Sequence, residues 1–463
     1  MRQFFYPNRV AVFGVGNGQQ NLAKNIISNS LEMGFKGEIL PVGRKPGQVF
    51  GTEIITDPES LPEGIDLAVI LVPARFVAET LDICGRKGIL HAIISTGGFR
   101  EFDDVNLEEE KDVFRMAEKY GIQFIGPNCI GVICTGSDIC TPFNPFQPKR
   151  FKKGPVSLVV QSGGITTQCA YSFSEAHVGF SKIISIGNKL NLDEIDFLKY
   201  LMDDEDTEQI HLYLESIGDG REFMRVAGRS KKPIVVFKSN VGEGASEIAK
   251  SHTAALSNDD RVVEGALRQT GIVRARDIHD MTVCAKALQL WPIKGKNLAA
   301  MSLSGGAAVI LGDACERHGF KCPAFPDKLL DKIQGLRRGG VIRMSNPMDL
   351  GDVHNIESLA FILENCLALD YIDGLALSFM YGPELTALFN NGTDDPRPLL
   401  NFMKSMCHRY KKPIALSFLG VAETIETIKS TNIFPVFDSA EESVRALQIL
   451  LEYWRGREIR NVA

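Results

Sequence analysis

Val159–Ala170 reads VVQSGGITTQCA, and Met301–Ala314 reads MSLSGGAAVILGDA. In each, an apolar run breaks at Ser-Gly-Gly and gives way to a helical pattern. A strand that enters a glycine turn and leaves it as a helix is the opening of a βαβ unit, and such units build parallel sheets. The two stretches are therefore an internal repeat and mark two flavodoxin-like domains.

The same alternation extends in both directions. Ahead of the repeat, strands are expected at Val10–Phe13, Glu38–Pro41, Leu67–Val72, Ala92–Ser95 and Gln123–Ile125, with helices between them. Leu67–Val72 (LAVILV) is apolar at every position, which implies burial on both faces of a sheet. Thr141–Gly154 (TPFNPFQPKRFKKG) has three prolines and four basic residues. Proline removes amide donors and disfavours helix before it, so this stretch reads as a linker. The second series runs through Val156–Val160, Lys182–Ile186, Gln209–Leu214 and Pro233–Phe237. The third runs through Leu298–Leu303, Gly374–Phe379 and Pro413–Phe418, and closes with a helix at Ala440–Trp454. The expected fold class is α/β. A Rossmann-like domain spans 1–140, a linker 141–154, one flavodoxin-like domain 155–292 and a second 293–463.

Composition narrows the functional classes. The 463 residues are 44% hydrophobic and 23% charged, with a net charge of −6. No basic patch stands out, which argues against nucleic acid as a partner. No segment approaches the roughly 18 apolar residues of a membrane span, and the N-terminus lacks a signal peptide's apolar core, so a cytoplasmic protein is expected. Ten cysteines are scattered without a C-x-x-C pair, which suits reduced thiols and gives no support to a zinc site.

Candidate ligand residues collect at strand ends. GVGNGQQNLAKN (Gly14–Asn25) follows the first strand, and Gly14 and Gly16 let a phosphate approach the backbone before a helix start. The spacing departs from G-x-G-x-x-G, and no acidic ribose-binding residue ends the second strand. That strand ends in PVGRK, whose Lys45 suits a phosphorylated ribose, as in CoA or NADP. Val72-Pro73, Ser95-Thr96-Gly97 and Asn128-Cys129 follow later strands of the same sheet, where open α/β sheets bind ligands. Cys129 reads equally as a packed thiol. Ser162, Gly163 and Gly164 form either an anion pocket at a helix N-terminus or a plain tight turn.

His252 differs from the other seven histidines, which read as ordinary structural or surface residues. It sits in a glycine-bearing stretch, KSNVGEGASEIAKSHTAALSNDD (Lys238–Asp260), between Ser251 and Thr253. A neutral imidazole nitrogen attacks phosphorus well near pH 7, provided an acceptor fixes the other nitrogen. Glu215, at the end of QIHLYLE, could orient it or could be an ordinary strand-end carboxylate. Ser257 with Asp260 reads as a capping signal for the helix RVVEGALRQTG.

Taken in order, VAVFG, KGEILPVGRK, DLAVILVPARFV, YGIQFIGPNCIGV, VVQSGG, GFSKIISIGNKLNLDEIDFLKYL, LYLESIGDGREF, SHTAALS and SNPMDLGD resemble the NDP-forming acyl-CoA synthetase superfamily, to which succinyl-CoA synthetase is related. The resemblance covers nearly the whole chain and implies an alpha-type, CoA-binding subunit. It implies that acid, CoA and ATP interconvert with acyl-CoA, ADP and phosphate through an acyl phosphate and a phosphorylated His252. Glu215 falls on the orienting glutamate, and Ser162, Gly163 and Gly164 fall on the phosphate-binding helix start. Lys45, Val72, Pro73, Ser95, Thr96 and Gly97 fall on CoA contacts, and Thr167 lies near the organic-acid pocket. Nucleotide and Mg²⁺ would be held by an ATP-grasp beta subunit in a heterotetramer. Two departures stand out: GVGNGQQNLAKN replaces a Gly-Ala-Ser-type loop, and PVGRK replaces Pro-Val-Asn-Pro-Lys. Two other readings stay open: a catalytically inactive CoA-binding regulatory protein of the same fold, and an NAD(P)-binding oxidoreductase resting on the first loop alone.

Overall fold

The computed structural model describes residues 1–99, 107–242, 259–336, 345–351, 353, 355–382 and 395–462. Residues 243–258, with Ser251-His252-Thr253 and Ser257, lie outside the described residues, as do Asp352 and His354. The chain forms two compact units, Met1–Ile278 and His279–Ala463.

The first unit holds two sheets. In the first sheet, β1 (Arg9–Phe13) is flanked by β2 (Glu38–Val42), and a two-stranded ribbon, β3 (Gln48–Val49) and β4 (Thr52–Glu53), follows β2. The sheet continues with β5 (Leu67–Ile70), β6 (His91–Ile94) and β7 (Gln123–Ile125). Its order is β2-β1-β5-β6-β7, all parallel. β5 is buried at every position, as its unbroken apolar run requires.

Two short strands, β8 (Val132–Cys134) and β9 (Ile139–Cys140), then run antiparallel along the edge of the second sheet. Sequence periodicity does not reveal them, because at two or three residues they are too short for an alternation to register. The parallel part comprises β10 (Lys153–Val160), β11 (Phe180–Ser185), β12 (Gln209–Leu214), β13 (Ile234–Lys238) and β14 (Val273–Arg274). The sheet order is β14-β13-β12-β10-β11-β8-β9. One apolar core passes through both sheets, from Phe4, Val10 and Val69 to Val159, Phe197 and Leu212. The proline-rich stretch after β9 is pinned down. Asn29 donates to the carbonyls of Pro142 and Asn144, and Asn25 donates to that of Phe143, each at 2.8 Å.

The second unit repeats the plan with β15 (Leu298–Ser302), β16 (Met348–Asp349), β17 (Gly374–Met380), β18 (Ile414–Leu419) and β19 (Val436–Phe437), in the order β16-β15-β17-β18-β19. It closes with the helix Ala440–Val462. All three parallel sheets therefore share a 2-1-3-4-5 order, whose reversal point between the first and third strands is where such sheets take ligands. The repeat is literal at the turn: Ser162 is N-cap of the helix Gly163–Glu175, and Ser304 is N-cap of Gly305–Arg317. No described helix is long and apolar enough to cross a membrane.

Candidate active site at the reversal points of the first unit

The first reversal point lies between β1 and β5. Gly14 has φ +96°, and a Cβ there would stand 2.0 Å from the Leu71 carbonyl oxygen, so only glycine lets the loop pass this close to β5. Asn21 shapes the rest of the loop. Its Nδ2 donates to the Gly14 carbonyl at 2.9 Å, and its Oδ1 accepts from the Lys24 N–H at 3.2 Å, at the start of the helix Ala23–Met33. Gly16 is half-buried and Gly18 faces open space.

The other expected residues fall on the same edge. Val72 is half-buried, and Lys45, Pro73, Gly97 and Asn128 are exposed. Thr96 ties two loops together: its hydroxyl donates to the Val72 carbonyl at 2.7 Å, and its own carbonyl accepts from the Asn128 N–H at 2.8 Å. Ser95 is 4% exposed, and its hydroxyl is buried beside the Cys129 thiol and not turned to solvent. Cys129 is itself 1% exposed, its thiol donates to the Ile94 carbonyl at 3.4 Å, and burial pushes its pKa up to about 12. Its side chain is part of the core rather than of the ligand edge.

The second reversal point lies between β10 and β12. Ser162 makes no side-chain cap bond to its own helix, and a Cβ on the exposed Gly164 would meet open space, so the helix start is open on its Gly164 side. Opposite lies the half-buried Glu215, whose backbone is held from three sides. Gln161 Oε1 accepts from the N–H groups of Glu215 at 2.9 Å and Ser216 at 3.2 Å. Lys238 Nζ donates to the Glu215 carbonyl at 2.8 Å. Lys189 Nζ donates to the Ser216 carbonyl at 2.9 Å and pairs with Glu194 at 2.9 Å, while Glu194 accepts from the Gly218 N–H at 3.1 Å. Burial lowers the Lys238 pKa to about 8, against the opposing pull of Asp260. Thr167 begins the second turn of Gly163–Glu175, its hydroxyl donating to the Gly163 carbonyl at 3.3 Å. Sequence reading passes over Lys189 and Glu194, whose roles depend on a loop 25 or so residues away; their spacing in GNKLNLDE offers no motif.

The two edges meet. A Cβ on Gly163 would stand 2.8 Å from Ile130 Cγ2, and one on Gly187 would stand 2.2 Å from the Pro127 carbonyl oxygen. Asn188 N–H donates to that Pro127 carbonyl at 2.9 Å. The Gly126–Gly131 segment leaving the first sheet is thus wedged between its own ligand edge and the Ser-Gly-Gly turn. The turn in the second unit has a different neighbour. A Cβ on Gly305 would meet Asp349 Oδ2 at 2.9 Å, and a carboxylate there disfavours an anion at that helix start. The helix Asp260–Gln269 is capped by Asp259, which accepts from the Arg261 N–H at 2.9 Å; Ser257, the expected cap, lies outside the described residues.

A CoA binding domain family matches residues 8–135, and the succinyl-CoA ligase like flavodoxin domain matches 153–288. The alpha subunit of ADP-forming acetate–CoA ligase I from Pyrococcus furiosus is 30% identical over 99% of both chains. The alpha subunit of that organism's ligase II is 34% identical over 75% of both. The chain belongs to the NDP-forming acyl-CoA synthetase superfamily, as an alpha-type chain. A solved structure of an acetyl-coenzyme A synthetase from Ca. Korarchaeum cryptofilum, in complex with phosphate and ADP, superposes on it with a TM-score of 0.86. That structure shares 26% identity over 100% of this chain and 98% of its own. The family's CoA-binding and flavodoxin-like parts are the two sheets whose edges meet at Gly163 and Gly187.

Proposed function

We propose that this chain is the CoA-binding, phosphoryl-relaying subunit of an ADP-forming acid–CoA ligase, and that His252 carries the phosphoryl group. The observation that supports this best is the wedge at Pro127–Ile130, which brings the loops for CoA within contact of the Ser162-Gly163-Gly164 turn. A carboxylic acid, CoA and phosphate could then share one crevice. The turn's amides and Ser162 hydroxyl would hold the phosphate as a helix N-terminus holds anions. Thr167 would border the acid. Gly14, Gly16, Lys45, Val72, Pro73, Ser95, Thr96, Gly97 and Asn128 would line the CoA edge.

In this reading a His252 ring nitrogen attacks the phosphorus of an acyl phosphate, the P–O bond to the acyl oxygen breaks, and the free acid leaves as carboxylate. Phosphohistidine then passes the group to ADP. Glu215 would accept the N–H of the other ring nitrogen and keep the attacking nitrogen unprotonated. Its clamped backbone supports an orienting role over that of a loose strand-end carboxylate. Nucleotide and Mg²⁺ would bind an ATP-grasp beta subunit, in a heterotetramer. The ten cysteines, none in a disulfide, fit a reducing cytoplasmic setting.

The test is incubation of the chain with its ATP-grasp partner and γ-labelled ATP. Label on this chain that withstands base, is lost in acid, and vanishes in His252→Ala is the expected result. Full labelling of His252→Ala sinks the assignment. CoA binding without any labelling would favour the inactive regulatory reading, and binding of NADP but not CoA would favour the oxidoreductase.

A further inference from the structure

β1 lies between β2 and β5 in the first sheet, yet side chains from beyond the outer two strands meet past its end. The Arg44 guanidinium carbon lies 4.0 Å from the centroid of the Phe76 ring, and that of Arg75 lies 4.8 Å from the same centroid. The stack therefore spans the reversal point beside the Gly14–Asn21 loop. Phe76 is half-buried and both arginines are exposed. Neither guanidinium has a carboxylate partner among the described residues. Two cations drawn to one ring repel each other, and Lys45 adds a third charge next to Arg44 in the chain. In a protein of net charge −6, such an unneutralised cluster at a ligand edge is complementary to an anion. Stacking on the ring also holds each planar fork in place, which lowers the entropic cost of binding a phosphate through two N–H groups.

We propose that Arg44 and Arg75, steadied by Phe76, form a subsite for the phosphomonoester on the ribose of CoA, and that this pair makes the chain prefer CoA to dephospho-CoA. The inference rests on the CoA reading above. The glycine loop and the start of Ala23–Met33 remain for the diphosphate, which dephospho-CoA keeps together with the adenine and the pantetheine arm. The two ligands differ only in the group assigned to the arginines.

The experiment is calorimetric titration of the full chain with CoA and with dephospho-CoA at one fixed ionic strength, for the wild type, Arg44→Ala, Arg75→Ala and Arg44→Lys. The wild type is expected to bind CoA roughly tenfold or more tightly than dephospho-CoA, the scale of a hydrogen bond to a charged group. Each alanine variant is expected to lose most of that preference while its affinity for dephospho-CoA stays unchanged. Arg44→Lys should restore it only in part, because an ammonium neither stacks nor forks. An unchanged ratio in both alanine variants overturns the proposal. So does equal weakening of both ligands, which would place the arginines on the diphosphate. If the wild type binds neither ligand, the CoA reading itself falls and this inference falls with it; binding of both with an unaltered ratio sinks the inference alone.

Discussion

The side-chain oxygen of Gln161 accepts the backbone N–H of Glu215 at 2.9 Å, across the reversal point between β10 and β12. Gln161 stands directly before the Ser-Gly-Gly turn, so one carboxamide couples the turn proposed to hold phosphate to the carboxylate proposed to orient the histidine. Gln161 is buried, and its Nε2 also reaches the Ser216 hydroxyl at 3.4 Å. The spacing between turn and carboxylate is thereby set by a rigid strand end and not by the loop itself.

Replacing Gln161 tests that coupling. Gln161→Leu keeps the volume but strands the N–H groups of Glu215 and Ser216, at a cost of about 1–3 kcal/mol if they stay dry. The expected result is a drop of roughly ten- to hundredfold in the rate of phosphoryl labelling, with only a few degrees lost in melting temperature. Equal labelling rates in Gln161→Leu and wild type would show that Glu215 does not need this anchor.

Lys189 and Glu194 give a stability prediction with a clear sign. Their side chains are 10% and 1% exposed and 2.9 Å apart, and both hold the Ser216–Gly218 backbone. Breaking a buried pair by removing one partner leaves an uncompensated charge and costs roughly 3–5 kcal/mol. Glu194→Ala is therefore expected to lower stability by about that amount in urea unfolding. The double variant Lys189→Met/Glu194→Leu should be less destabilised than Glu194→Ala. If the double variant is the worse of the two, the pair contributes more than mutual charge compensation.

Much of this fold is legible in the sequence. Unbroken apolar strands such as LAVILV and the two Ser-Gly-Gly turns gave strand positions, the parallel class and the internal repeat, because burial on both faces and a glycine turn each leave a local signature. The two- and three-residue strands β8, β9, β14, β16 and β19 leave none, although β7, also of three residues, is read from the apolar pair ahead of its Gly-Pro turn. The same division runs through the site. Ser162, Gly163 and Gly164 stand next to a strand end and read from the chain as an anion pocket or a plain turn, whereas Glu215 reads by itself as an ordinary strand-end carboxylate and is singled out by the family resemblance. Arg44 and Phe76 are separated by three strands of sequence, and only the sheet order puts their side chains together. Cys129 shows the opposite failure: its position after a strand matches that of a ligand residue, but its side chain turns into the core.

Thiol reactivity gives a direct check on that point. Nine of the ten cysteines are buried, and Cys322 alone is partly exposed. Burial also raises the pKa of several, Cys129, Cys84 and Cys366 each to about 12, so at pH 8 almost none of these is thiolate. Titration of the native chain with a thiol reagent should show one fast thiol, lost in Cys322→Ser, and the rest only after denaturation. Rapid labelling of Cys129 would contradict its placement in the core.

His211 supplies the pH dependence. It is fully buried on β12, edge-on to Phe173 with ring centroids 5.6 Å apart, and its Nε2 lies 3.2 Å from Gln209 Oε1. Nδ1 has no partner among the described residues. Desolvation lowers its pKa from 6.5 to about 3. A base with a depressed folded-state pKa is protonated first in the unfolded chain. Between pH 6.5 and 3 the unfolded state therefore binds more protons, and stability falls as pH falls through that window. The linkage amounts to about 2 kcal/mol between pH 7 and pH 5 from this residue alone. His211→Leu removes the titration and keeps an apolar filler of similar size. Urea unfolding of wild type and variant at pH 7 and pH 5 should show the wild type losing about 2 kcal/mol more than the variant over that interval. Equal losses in the two proteins would mean that the imidazole is protonated in the native state, with a compensating acceptor inside the sheet.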